Sequence, residues 1–123
     1  MAFLSTLLTP VSTVIQGFYS LVTNTLYLSN QLFVKNSPGT LYTLTGFTSA
    51  NINQYLQLYN TNTGTPPSNT SPLAVFILPQ ASNFMLNFDT GIPFSTGILA
   101  CLSMSPTTYT SAGNNTYFTA VYK

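Results

Sequence analysis

From Thr25 onward, apolar and polar residues alternate with a period of two, the spacing that sends successive side chains to opposite faces of a strand. TLYLSNQLF (25–33) reads as a first strand, and Asn36-Ser37-Pro38-Gly39 as the turn that follows it. GTLYTLTGFT (39–48) comes next, with Leu41, Thr43 and Thr45 opposing Tyr42 and Leu44. After a break at Ala50-Asn51-Ile52-Asn53, QYLQLYN (54–60) sets Tyr55, Gln57 and Tyr59 against Leu56 and Leu58, which predicts a strand with one wet face. Thr61–Pro72 is polar, rich in Pro and without period, and predicts an exposed loop. PLAVFILP (72–79) is apolar throughout and predicts a strand covered on both faces, while TYFTAVYK (116–123) closes the chain as a last strand.

The stretch Asn83–Ser103 organises the rest. Its apolar runs Phe84–Phe88 and Phe94–Leu102 flank Asp89-Thr90-Gly91-Ile92-Pro93, where Gly91 tolerates positive φ and Pro93 cannot donate to a ladder. A turn is expected there, making a central hairpin in which Phe84, Leu86 and Phe88 point to one face and Met85 and Asn87 to the other. Seven or eight short strands predict an all-β fold: one antiparallel β-sandwich or jelly-roll-like domain, residues 25–123.

Residues 1–24 are set apart as an apolar N-terminal arm. They lack the basic start and small-residue cleavage site of a signal peptide, and Pro10, Gln16, Gly17 and Asn24 interrupt any membrane span. Val11, Val14, Ile15, Phe18, Leu21 and Val22 fall at helical spacing, although the density of Val and Thr suits extended chain equally. Leu4, Leu7, Leu8, Val11, Val14, Ile15, Phe18 and Leu21 form a candidate assembly arm that packs on a neighbour.

Charge alters the picture most. Lys35, Asp89 and Lys123 are the only charged side chains of 123 residues, and His, Arg, Glu and Trp are absent. Two lysines cannot neutralise a phosphate track, so a nucleic-acid partner is not expected, nor is a membrane. Near-zero net charge favours association, and a homo-oligomer is expected, a trimer first. No enzyme is expected either: Asp89 has no second carboxylate, the single Cys101 has no His to activate it, and no metal or cofactor set exists. Cys101, inside ILACLS, reads as a core thiol and Asp89 as a turn residue. Tyr55, Tyr59 and Tyr109 are candidate exposed contacts, able to fill an interface or stack on a sugar, or simply to supply cross-strand pairs. Two sequons, Asn69-Thr70-Ser71 and Asn114-Asn115-Thr116, carry little weight in a chain so rich in Asn and Thr.

The order GTLYTLTGFTSANINQYLQLYN, PLAVFILPQASNFMLNF, GIPFSTGILACLSMSPTTYT resembles a group of small β-rich accessory virion proteins of tailed bacteriophages. Gly46, Tyr55, Leu56, Gln57, Ser82, Asn83, Phe84, Leu86, Phe88, Phe94, Ser95, Thr96, Gly97 and Ile98 carry the resemblance, which covers about residues 39–122. Thr48 stands where those proteins favour Asn, and the Thr61–Pro72 loop has no counterpart. The resemblance implies a location in the virion and a structural job, as a capsid decoration or cement protein or as part of a fibre or tail, without choosing between them; a cement protein binding the major capsid protein or another virion protein is the first expectation. A receptor- or glycan-binding fibre or tail tip is the second expectation. A subunit of a secreted filament or surface layer is the third.

Overall fold

The computed structural model describes residues 20–123. Among these residues eight strands are present: β1 Leu21–Asn24, β2 Gln31–Lys35, β3 Gly39–Thr48, β4 Gln54–Asn60, β5 Ala74–Leu78, β6 Ser82–Phe94, β7 Ile98–Ser103 and β8 Thr116–Tyr122. They form two four-stranded antiparallel sheets, ordered β1-β8-β3-β6 and β2-β7-β4-β5. The pairs β1·β8, β2·β7, β3·β6 and β4·β5 nest like one long hairpin rolled up, which is jelly-roll connectivity. The expected all-β sandwich is therefore the fold.

Between the sheets lie Leu32, Val34, Leu41, Leu44, Leu56, Leu58, Ile98, Ala100, Leu102, Phe118 and Ala120, with Phe84, Leu86 and Phe88 packed against them from β6. Phe76 of β5 meets Phe88 of β6 at 5.8 Å across the two sheets, and Phe84 meets Phe118 edge-on at 6.2 Å within the β1-β8-β3-β6 sheet. Gly46 is the close approach that lets β3 and β8 pair beneath Phe84. A Cβ there would lie 1.9 Å from the Tyr117 carbonyl oxygen.

Several expectations change. There is no central hairpin at Asp89–Pro93. β6 runs straight through to Phe94, the chain turns at Ser95–Gly97, and β7 belongs to the other sheet. Gly91 (φ +83°) instead allows a large bulge: between the pairs Thr43↔Asn87 and Leu41↔Ile92, β6 places the four residues Phe88–Gly91 opposite the single residue Tyr42 of β3. Phe84, Leu86 and Phe88 share one face and Met85 and Asn87 the other, as expected, with the first set inward. In β3 a second irregularity at Tyr42 moves the phase, so Leu41 and Leu44 are both fully buried.

TLYLSNQLF is not one strand. The chain crosses between sheets at residues 25–30, leaving Leu26 and Tyr27 in solvent, with Thr25 N–H on the Phe118 carbonyl and Ser29 N–H on that of Thr116. The boundary drawn between residues 24 and 25 also moves, because Leu21–Asn24 pairs with β8 and is part of the sandwich. PLAVFILP is an edge strand whose Val75 and Ile77 face outward and are exposed, so only one of its faces is covered. QYLQLYN is covered on both faces, for the reason given next.

Candidate assembly surface

The two outer faces of the sandwich differ. On the β2-β7-β4-β5 sheet, the segment between β7 and β8 folds back over β4 and β7. The Gln57 amide donates to the carbonyls of Ser105 (2.7 Å) and Thr108 (3.0 Å), and its oxygen accepts from the Tyr59 hydroxyl (2.8 Å). Ser103 Oγ donates to the Thr108 carbonyl and accepts from the Ser105 and Thr110 amides. Beneath this cover Tyr59, Leu99 and Cys101 make a second small core, with Tyr109 packed against it. Burial pushes the Cys101 thiol up to about 12, and burial, then Cys101 and Tyr109, push the Tyr59 hydroxyl up to about 12. The Thr61–Pro72 loop covers β2 in turn: Gly64 lies against the Phe33 ring, and its carbonyl accepts from the Gln31 amide.

The two covering segments meet in a groove of about 290 Å³ lined by Pro66, Pro67, Ser68, Asn69, Thr108 and Tyr109. Tyr109 Oη accepts from the Asn30 amide at 2.6 Å, which fixes the ring at the groove wall. No charged side chain lines it.

The face of the β1-β8-β3-β6 sheet carries no such cover among the described residues. Its register lays out three cross-strand rows: Val22–Val121–Thr43–Asn87, then Asn24–Thr119–Thr45–Met85, then Tyr117–Phe47–Asn83. Val22 and Met85 are 67% and 72% exposed, with Phe47 and Tyr117 also open to solvent. None of the three charged residues falls in these rows. Lys35 ends β2 on the other sheet, Asp89 sits in the β6 bulge, and Lys123 lies past β8. A face of Val, Phe, Tyr, Met, Thr and Asn with no charge loses little hydration when another surface covers it.

The candidate residues read from sequence distribute unevenly. Leu4, Leu7, Leu8, Val11, Val14, Ile15 and Phe18 lie outside the described residues. Leu21 is in β1, paired with Tyr122, and both line an open groove of about 370 Å³ with Phe33, Val34 and Lys35. Tyr55 is half-buried beside Ile77 on the outer face of β4. Tyr59 is not an exposed contact: it is 1% exposed, because the returning segment closes over it. Tyr109 is half-buried at the groove. Sequence reasoning missed Val22, Phe47, Tyr117 and Val121. Their signal was present as the outward phase of alternation, already visible for Met85, but the neighbouring strands needed for a shared face are known only from the topology. In comparisons with known proteins, no family model, curated protein or solved structure matches this chain.

Proposed function

We propose that this chain is a structural protein of a virus particle, a capsid decoration or cement protein that stabilises the shell by non-covalent contacts. The bare, charge-free face of the β1-β8-β3-β6 sheet carries the reading, since it is the surface the fold leaves open while covering its counterpart. Jelly-roll connectivity supports it as analogy, because that architecture recurs in capsid proteins and also in lectins and cupins. Four strands roughly 4.8 Å apart and six residues at about 3.3 Å each give a face on the order of 400 Å². That is about half of the ~800 Å² per partner in a stable interface. The apolar residues ahead of β1, Leu4 to Phe18, supply the remaining contact in this proposal.

Quantitative mass spectrometry of purified particles tests it directly. A copy number near that of the major shell protein, or a simple lattice fraction of it, is the expected result, and absence from particles overturns it. Attachment is expected to change little between low and moderate salt, because almost no charge takes part. Deleting residues 1–19, and not 1–24, which would remove β1, is expected to leave a folded sandwich that attaches weakly.

The groove at Pro66–Asn69 and Thr108–Tyr109 favours a second reading, a glycan- or receptor-binding tip. An uncharged wall of proline, tyrosine and small polar groups suits a neutral sugar. Binding on a glycan array that is lost in Tyr109→Ala would raise that reading above the first.

A further inference from the structure

The four sheet edges are unequal. β1 is only four residues long. β2 is interrupted by a register shift between Phe33 and Lys35 and ends in a lysine. β5 has five residues held between Pro72 and Pro79. The second half of β6 carries the bulge, Asp89 and Pro93. These are the devices that keep edges from pairing with other chains. The first half of β6 has none of them. Ser82–Asn87 pairs with β3 through six consecutive partners, without Pro, charge or bulge, and no described residue pairs with its other side. Free N–H and C=O groups along six residues form a template for another strand.

The sequence of this edge is self-matching. Asn83-Phe84-Met85-Leu86-Asn87 reads the same way, by residue class, in both directions about Met85. An antiparallel strand of the same sequence, related by a two-fold axis through Met85, brings Asn83 opposite the partner's Asn87. Phe84 then faces the partner's Leu86, and Met85 faces its own copy. Amide meets amide on the outer face, and the half-buried apolar pair meets its like on the core side. A foreign strand would match this pattern only by coincidence.

We infer that the Ser82–Asn87 edge of β6 is a homodimer contact, in which a second copy adds its own β6 antiparallel about Met85 and joins two four-stranded sheets into one of eight strands. The inference does not rest on the virion reading, since it concerns an edge and not the sheet face, and it holds wherever the protein works. Met85 is 72% exposed, so substitutions there leave the packing of the sandwich intact.

Single-cysteine cross-linking of the full chain under copper-phenanthroline oxidation tests the register. Met85→Cys brings two thiols to facing positions about 5 Å apart and is expected to form a disulfide-linked dimer within minutes. Asn83→Cys sits four residues from its copy, about 13 Å away, and is expected to stay monomeric. The double variant Asn83→Cys/Asn87→Cys is expected to cross-link, because those positions face each other. Cys101 is fully buried and does not compete. In sedimentation equilibrium the native chain is expected at twice its 13.3 kDa monomer mass. Met85→Lys, which sets two like charges face to face, is expected to weaken association about tenfold or more. Equal cross-linking at residues 83 and 85, a trimer untouched by Met85→Lys, or a native monomer at high concentration would each overturn the inference.

Discussion

Replacing Gln57 by alanine should show how the returning segment is held over the β2-β7-β4-β5 sheet. Gln57 is fully buried, and its amide supplies three hydrogen bonds: to the Ser105 carbonyl, to the Thr108 carbonyl and from the Tyr59 hydroxyl. Each is worth about 1 kcal/mol net, and the buried Tyr59 hydroxyl would lose its acceptor, so a loss of about 3–4 kcal/mol is expected. At about 4 °C per kcal/mol for a domain of this size, the midpoint of thermal unfolding followed by circular dichroism should fall by about 12–16 °C. Amide exchange in residues 104–111 should quicken more than exchange in β3 or β8, because that segment loses its anchor first.

Gln57→Glu sharpens the test, since it keeps the size but replaces the donating NH2 group with an acceptor oxygen facing the Ser105 and Thr108 carbonyl oxygens. The charged form is disfavoured at this position, so the carboxyl is protonated more readily in the folded state than in the unfolded chain, whose glutamate titrates near about 4.3. Folded affinity for the proton is thus raised. The Glu variant should lie closest to the native protein below about pH 4 and fall further behind as pH rises to 7, whereas the deficit of Gln57→Ala should not vary with pH. A drop of less than about 3 °C for Gln57→Ala, or a Glu deficit that does not vary with pH, would refute the assigned anchoring role.

Gly46→Ala should be among the most damaging single substitutions, because its methyl carbon would need the space 1.9 Å from the Tyr117 carbonyl oxygen; loss of soluble protein or a fall in urea midpoint equivalent to at least about 3 kcal/mol is expected. Alkali should destabilise the native chain. Cys101 and Tyr59 titrate near about 12 folded against 9.0 and 10.0 as ordinary values, so their contribution is complete below about pH 9. Stability should then decline as pH rises from 9 toward 12, by up to about 1.4 kcal/mol per pH unit for each group, and Cys101→Ala should remove the earlier part of that decline in pH-dependent urea titrations. On the open sheet face, Val22→Lys should leave the thermal midpoint within about 2 °C of native yet reduce attachment to particles, read by co-sedimentation.

The class of fold was legible because its physics is local. Alternation over β3, β4, the first half of β6 and β8 marks strands whatever they pair with, and Phe84, Leu86 and Phe88 declared their shared face unaided. Composition likewise narrowed the chemistry to be expected, since the chain holds only three charged side chains and one thiol. What alternation cannot carry is which strand lies beside which. Gly91 and Pro93 look like a turn in sequence, and only the resumed pairing of Gly39–Leu41 of β3 with Ile92–Phe94 makes the same residues a bulge inside one strand. Gln57 and Tyr59 look like a wet face until a segment nearly fifty residues later returns to cover them, with Gln57 bonded to Ser105 and Thr108. The open face of the β1-β8-β3-β6 sheet has the same origin: Val22, Met85, Phe47 and Tyr117 come from four strands far apart in the chain. Their union into one uncharged surface is a property of long-range pairing, which the tertiary structure alone decides.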